Sequence, residues 1–139
     1  VPVIKLDIDL GLHDFEFSSF DMSIMARSIQ CLKNPNIALE KMLSLSKICV
    51  VTLPNLGYWR CRINLAVGKM PVTPDLPSSW YETENIHLCT IRDFENLCEE
   101  QSITIKEKFF IGPKNKKGIM SSINPNFFAT EGVYLLEKK

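Results

Sequence analysis

The run ICVVTL at residues 48–53 constrains the fold of this chain more than any other feature. Its continuous, β-branched pattern is typical of a buried central strand in a parallel sheet. Pro54 ends the strand, because proline has no N–H to donate to a neighbouring strand. Parallel strands are joined by crossover helices, so this run predicts an open α/β sheet.

The rest of the chain alternates strand and helix patterns. Helices are predicted to begin at Pro35, at Trp59 and at Thr90, the last with a capping box completed by Asp93. Apolar runs predict further strands at residues 3–6, 20–26, 102–111 and 132–136, and we expect the first two to be buried on both faces. The two consecutive terminal strands predict an antiparallel edge, and residues 1–139 are expected to form one domain.

Composition limits the class of function. Sixteen Lys and Arg residues against sixteen Asp and Glu residues give a formal net charge of zero, which argues against nucleic acid or a membrane surface as partner. Five cysteines without a C-x-x-C pair indicate a reduced, cytoplasmic protein. Two histidines without suitable spacing make no metal site. The composition leaves the oligomeric state open.

Polar residues directly follow three predicted strands, namely Asp7, Arg27 with Ser28, and Asn55. In an open α/β sheet, ligands bind beyond the carboxyl ends of the strands, so these residues are expected on one rim. Asp7 is either a carboxylate that caps a turn, a part that Asp9 plays equally well, or a ligand contact. Arg27 is either a solvated group at a helix entrance or the partner of a carboxylate at the rim.

The stretch LPNLGYWRCR at residues 53–62 places large aromatic and charged side chains in a loop, where the chain gains little from burying them. Gly57 permits a backbone turn that other residues resist, and Asn55 offers a donor and an acceptor at the strand end. Tyr58 and Trp59 either fill an apolar hole or line a cleft. Arg60 and Arg62 are two residues apart and do not share a helical face, so at most one of them reaches the cleft.

A second such stretch, SSWYETENIHLC at residues 78–89, belongs to a long connection of the kind that forms lids and binding surfaces. His87 is as consistent with a hydrogen-bonding structural role as with a general base. Cys89 does not pair with it as a nucleophile, because residues two apart in an extended segment point to opposite faces. Asn55 and His87 are the candidate catalytic residues.

These motifs together closely resemble the MetW family of methionine-biosynthesis proteins, which is related to class I S-adenosylmethionine-dependent methyltransferases. The segments that carry the resemblance are VIKLDIDLGL, SSFDMSIMARSIQ, LPNLGYWRCRINLAVGKMPVT, LPSSWYETENIHLCTIRDFENLC and NFFATEGVYLLEKK. The resemblance implies a partial Rossmann-like fold, strands three to seven of the class I methyltransferase order, with the last strand antiparallel. The first two strands of that order would precede Val1, so this chain is expected neither to hold the cofactor tightly nor to fold alone.

The resemblance also implies ligands and partners. S-adenosylmethionine would be the cofactor, with Asp7 at the adenine amino group and Ile8 and Arg27 beside it. Homoserine O-acyltransferase would be the partner, and the alternative is a methyltransferase acting on an unidentified small molecule. The residues assigned to substrate or partner loops are Gln30, Asn55, Tyr58, Trp59, Arg60, Trp80, Tyr81 and His87.

Overall fold

The computed structural model of the protein describes residues 7–11, 20–116 and 118–138. The strands are β1 (Phe20–Ala26), β2 (Ser46–Pro54), β3 (Ile103–Ile111) and β4 (Glu131–Lys138). The helices are α1 (Ile8–Gly11), α2 (Pro35–Leu45), α3 (Trp59–Ala66), α4 (Ile91–Glu100), α5 (Ile119–Ile123) and α6 (Pro125–Phe128). The strand predicted at residues 3–6 lies outside the described residues.

The four described strands form one sheet in the order β1-β2-β4-β3. β1 and β2 are parallel, and β4 is antiparallel to both β2 and β3. The α/β class and the antiparallel last strand are therefore confirmed. The predicted antiparallel edge is confirmed as well, since β3 and β4 pair antiparallel at one end of the sheet, with β4 between β2 and β3 and with β3 outermost. Inserting β4 there lets it bond on both sides, which a strand at the edge does not achieve.

The core lies on one face of this sheet. Cys49, Val51 and Leu53 of β2 are fully buried and join a single cluster with residues of α2 and α4, among them Leu39 and Phe94. The intervening residues of β2 are only half-buried. Alternation along the strand therefore separates a fully packed face from a partly covered one.

β1 contradicts the expectation that it is buried on both faces. Met25 is 2% exposed, whereas Phe20, Met22 and Ile24 are 49%, 47% and 65% exposed. Successive side chains of a strand point to opposite faces, and among the described elements α2 and α4 pack only against the face that carries Met25.

The predicted helix starts are confirmed. Pro35 occupies the first turn of α2, and α4 has a reciprocal capping box. The Thr90 hydroxyl accepts the Asp93 N–H at 3.2 Å, and the Asp93 carboxylate accepts the Thr90 N–H at 2.9 Å. Asp substitutes for the usual Glu because its shorter side chain still reaches the backbone N–H of residue 90.

Candidate functional site

The carboxyl ends of β1 and β2 lie beside the start of β4, and polar residues collect at this rim. Arg27 follows β1, Asn55 follows β2, and Glu131 begins β4. The Arg27 N–H bonds the Thr52 carbonyl at 3.1 Å, and the Asn55 N–H bonds the Thr130 carbonyl at 2.8 Å. The sheet therefore places both Arg27 and Asn55 on one rim, as the sequence predicts.

Arg27 binds two carboxylates of the protein itself. Its Nε and Nη2 donate to the two oxygens of Glu131 at 3.0 and 2.6 Å, and Nη2 also donates to Asp75 at 3.3 Å. The hydrogen bonds that Arg27 donates to Glu131 outweigh the cost of partial burial and raise the pKa of the Arg27 guanidinium above its ordinary value. Since Asp75 belongs to the loop after α3, this cluster joins β1, β4 and that loop.

A pocket of about 470 Å³ opens over this rim, and we refer to it as the rim pocket. Its volume lies in the range of about 300–1,000 Å³ that is usual for small-molecule sites. The charged or hydroxyl-bearing residues that line it include Arg27, Tyr58, Arg60, Asp75, Lys114 and Thr130. The rim pocket is therefore bounded by the two loops that follow β2 and by the loop after β3.

The two arginines of α3 separate as their spacing predicts. Arg60 lines the rim pocket, and its guanidinium lies 5.2 Å from the centre of the Trp59 ring. Arg62 instead donates to the Gly57 carbonyl at 2.6 Å and lies over the Phe127 ring. Only Arg60 reaches the cleft.

Asn55 is buried below the rim and bonds in several directions. Its amide nitrogen donates to the Ala129 carbonyl at 2.8 Å and lies within 3.2 and 3.3 Å of the carbonyls of Asn126 and Pro125. Its amide oxygen accepts the N–H of Gly57 at 2.9 Å and of Ile91 at 3.2 Å. With 2% of its surface exposed, Asn55 holds β2, α4 and α6 together. This geometry favours a positioning role over direct contact with a substrate.

Gly57 is required because a side chain at this position would clash with its neighbours, and not because the backbone adopts an unusual angle. A Cβ at this position would lie 2.7 Å from the Asn126 carbonyl oxygen and 2.9 Å from the Asn55 side chain, and its φ is not in the left-handed range. Tyr58 next to it is 5% exposed, so most of its side chain is packed inside the protein. It lines the rim pocket as well.

The long loop after α3 presents two aromatic side chains to the surface. Trp80 and Tyr81 are 72% and 70% exposed, and their rings meet edge to face with centres 5.6 Å apart. Ile86 and Leu88 of the same loop are exposed as well. We refer to these four residues as the aromatic loop patch. It is separate from the residues that line the rim pocket.

Gln30 is hydrogen-bonded to the same loop beside His87. The backbone N–H groups of Ile86 and His87 both donate to the Gln30 carbonyl at 2.9 Å, and the His87 ring lies 3.3 Å from the Lys33 carbonyl. Gln30 and His87 line a cavity of about 200 Å³ that also includes Cys89. Gln30 is buried, and its Oε1 has no hydrogen-bond partner among the described residues.

The cysteines are all free thiols. Burial, with a smaller contribution from the Asp93 charge, raises the pKa of Cys89 to about 11. A thiol with this pKa stays protonated near neutral pH and is a poor nucleophile. This agrees with the sequence argument against a nucleophilic pair of His87 and Cys89.

Asp7 and Ile8 begin the described part of the chain. Asp7 is exposed, and its Oδ1 accepts the N–H of Asp9 at 3.0 Å at the start of α1. Asp9 in turn accepts the N–H of Lys33 at 3.1 Å, so the two carboxylates have different partners. Ile8 packs against the core.

Two kinds of feature do not occur within residues 7–11, 20–116 and 118–138. No group of three or more His, Cys, Asp or Glu side chains there is arranged to hold a metal ion. No helix in that part of the chain is long and apolar enough to span a membrane.

Sequence reasoning missed three charged residues of the rim, namely Glu131, Asp75 and Lys114. Glu131 could have been predicted at the rim, because the first residue of an antiparallel last strand lies beside the carboxyl ends of the parallel strands. The sequence prediction began that strand one residue later, at Gly132. No local pattern marked Asp75, and the basic stretch that contains Lys114 gives no sign that it reaches the rim, since both residues lie in loops whose course depends on the fold.

Comparison with known proteins identifies relatives over nearly the whole chain. The family model described as "Methionine biosynthesis protein MetW" matches residues 1–136. A curated protein of Rhodopirellula baltica, the bifunctional methionine biosynthesis protein MetXA/MetW, is 26% identical over 141 residues. That match covers 100% of this chain and 23% of the relative, so the chain spans about a quarter of the relative's length.

Solved structures share the fold at low identity. A Thermotoga maritima SAM-dependent methyltransferase, a possible histamine N-methyltransferase, matches with a TM-score of 0.62 at 16% identity, over 100% of this chain and 65% of that one. The [4+2]-cyclase SpnF matches with a TM-score of 0.59 at 13% identity, over 96% of this chain and 55% of that one. The fold is that of class I methyltransferases, and a cyclase among the matches shows that this fold alone does not determine the chemistry.

Proposed function

Because the chain belongs to the MetW family, we propose that it serves methionine biosynthesis by binding homoserine O-acyltransferase through the aromatic loop patch. The observation that carries this proposal is the exposure of Trp80 and Tyr81, at 72% and 70%. Large aromatic side chains are costly to leave in water, and they are the residue type that anchors protein interfaces.

The relative from Rhodopirellula baltica supports the choice of partner. Its name joins a MetXA part and a MetW part in one bifunctional protein. Two activities that are joined in one chain commonly work together when they occur on separate chains. We therefore take homoserine O-acyltransferase as the partner of this chain.

S-adenosylmethionine is the cofactor that the methyltransferase fold implies, and two residues offer hydrogen-bond acceptors of the kind that its adenine amino group needs. The Asp7 carboxylate is exposed and suits an exocyclic amine. The Gln30 Oε1 is buried without a partner among the described residues, which is costly unless a ligand donates to it. When bound, the cofactor supplies an electrophilic methyl group. Arg27 is committed to Glu131 and Asp75, so its role is to hold the rim in place.

A second candidate function is methyl transfer to a small molecule, and the rim pocket favours it. A pocket of about 470 Å³ over the carboxyl ends of β1 and β2 lies where an open α/β sheet binds its ligands. Methyl transfer depends mainly on placing a nucleophile in line with the methyl group, so it requires no catalytic triad.

One experiment separates the two functions. The full natural protein is titrated with S-adenosylmethionine by calorimetry, with and without homoserine O-acyltransferase, and acyltransferase activity is measured in the same samples. A stable complex with increased acyltransferase activity supports the partner role. Cofactor binding without any complex or change in acyltransferase activity would reject that role in favour of methyl transfer.

A further inference from the structure

We propose that the rim pocket binds a small carboxylate-bearing ligand, held by Arg60 and Lys114. This goes beyond the proposed partner role, which does not use this pocket, and it names a ligand class for the pocket that the methyl-transfer alternative invokes. The two cations reach the pocket from different elements, Arg60 from α3 and Lys114 from the loop after β3.

The charges around the pocket leave these two cations available. Arg27 is paired with Glu131 and Asp75, and those two acids are in turn committed to Arg27. No acidic side chain in the described part of the chain forms an ion pair with Arg60 or Lys114. Three cations against two carboxylates leave a positive balance at the rim, which attracts an anion.

The position of Asp75 limits where the anion can sit. Its side chain is 18% exposed and faces Arg27. A ligand carboxylate beside Asp75 would be repelled, so it is expected away from Asp75 and next to Arg60 and Lys114.

The pocket walls also offer apolar surface. Besides the charged groups they include Tyr58, Val72, Pro74, Pro113 and Thr130. Arg60 and Lys114 are both exposed, so water screens part of their attraction for an anion, and the apolar walls give the rest of a ligand a surface to pack against.

Backbone conformation sets this pocket apart from the rest of the described surface. Arg27, Ser102 and Lys114 are the non-glycine residues with positive φ among the described residues, and two of the three line the rim pocket. Such conformations cost about 1 kcal/mol or more and cluster at binding sites. At Lys114, with φ of 60°, the unusual backbone places a cation at the pocket.

Guanidinium and ammonium groups together favour a carboxylate. Arginine can bind both carboxylate oxygens through parallel N–H groups, and lysine adds a point charge. The pocket of about 470 Å³ admits a small metabolite and is too small for a folded partner.

The test is a calorimetric titration of the full natural protein with succinate, with succinamide as its uncharged analogue and inorganic phosphate as another anion. Succinate should bind saturably, succinamide should not bind, and phosphate should bind more weakly than succinate. Arg60→Gln and Lys114→Gln should each weaken succinate binding about tenfold, since charge-assisted hydrogen bonds are among the stronger kinds. Arg60→Lys should weaken it less than Arg60→Gln.

Lys47→Gln is the matched control. It removes one positive charge at the opposite end of β2, where Lys47 pairs with the exposed Asp21. The proposal is overturned if succinate does not saturate the protein, if succinamide binds equally well, if phosphate binds more tightly, or if Lys47→Gln weakens binding as much as Arg60→Gln. The readout needs neither acyltransferase nor cofactor, so its failure is distinguishable from failure of the partner role.

Discussion

Arg27 reaches across the end of β2 to bind Glu131 through two hydrogen bonds of 3.0 and 2.6 Å. Arg27 directly follows β1 and Glu131 begins β4, and these two strands are not neighbours in the sheet. Adjacent strands lie about 4.8 Å apart, so the arginine spans two strand spacings. The parallel and antiparallel parts of the sheet are therefore joined at the rim by side chains as well as by the backbone.

Arg27→Gln should lower the free energy of unfolding by about 2–3 kcal/mol, because it leaves the Glu131 carboxylate, 9% exposed, without its partner. Urea unfolding measures the change. Glu131→Gln added to Arg27→Gln should recover part of the loss, since the unpaired charge is then removed. Lys47→Gln breaks an exposed pair with Asp21 and should cost less than about 0.5 kcal/mol. Equal losses from Arg27→Gln and Lys47→Gln would contradict this account.

Asn55→Ala should destabilise the protein by about 3 kcal/mol. It leaves the Ala129 carbonyl and the N–H groups of Gly57 and Ile91 without their hydrogen-bond partner. Asn55→Asp should be worse, because a carboxylate would face the carbonyl oxygens of Ala129 and Asn126. Asn64→Ala, which removes a bond to the Arg60 carbonyl within α3, is the control and should cost under about 1 kcal/mol. Circular dichroism during urea unfolding measures all three. If Asn55→Asp were fully stable, Asn55 would not be the structural centre of the rim.

The fold could be predicted from sequence to the extent that local patterns determine it. The run at residues 48–53 and the capping box at Thr90 are local, and both predictions are confirmed. The position of β4 between β2 and β3 depends on which strands pair, and no short pattern carries that information. The exposure of Phe20 and Ile24 was missed for the same reason, since an apolar run does not state what covers it.

The location of the candidate site could be predicted from the sequence, whereas most of the hydrogen bonds and ion pairs within it could not. Residues that follow strands reach the rim, as Arg27 and Asn55 do. The spacing of Arg60 and Arg62 also predicted that only one of them enters the pocket. The carboxylates that hold Arg27 come from positions 48 and 104 residues further along the chain, and sequence alone does not bring such distant residues together.

Gly57→Ala should lower the free energy of unfolding by about 1–3 kcal/mol, because its Cβ would press against the Asn126 backbone oxygen at 2.7 Å. Gly68→Ala provides the contrast. Gly68 has φ of +76° and open space around it, so that substitution should cost only the backbone strain of about 1–2 kcal/mol. Asn126→Gly should not rescue Gly57→Ala, since the clash is with the backbone. Thermal unfolding of the variants measures these differences, and a neutral Gly57→Ala would refute the close approach.

Trp80→Ala should leave the free energy of unfolding within about 0.5 kcal/mol of wild type, because the side chain is 72% exposed. The same change should weaken binding to homoserine O-acyltransferase by about tenfold or more, as expected for an aromatic anchor. Ile37→Ala removes an exposed apolar side chain on α2 and is the control, with unchanged binding expected. Surface plasmon resonance with purified acyltransferase measures both. If the double variant Trp80→Ala/Tyr81→Ala bound the acyltransferase as tightly as wild type, the aromatic loop patch would be ruled out as the interface.

Stability should decrease at alkaline pH because burial favours the protonated form of several groups. The pKa of Cys89 is raised from 9.0 to about 11, and that of Cys98 to about 12. Burial also raises the pKa of Tyr134. In the unfolded chain the Cys89 thiol loses its proton near pH 9, whereas in the folded chain it keeps the proton until about pH 11. The stabilisation is therefore complete below about pH 8 and is lost as the pH rises through this window.

Between pH 8 and pH 10.5 we expect the free energy of unfolding to fall by about 2 kcal/mol or more, because a tenfold difference in proton affinity between the folded and unfolded chain corresponds to about 1.4 kcal/mol. Urea unfolding at the two pH values, with a non-thiol reductant, measures it. Cys89→Ser should reduce the dependence on pH, because a serine hydroxyl does not titrate in this range. Cys31→Ser alters a half-exposed thiol and should reduce it less. Stability that stays constant or rises between these pH values would show that the buried thiols lose their protons in the folded protein at least as readily as in the unfolded chain.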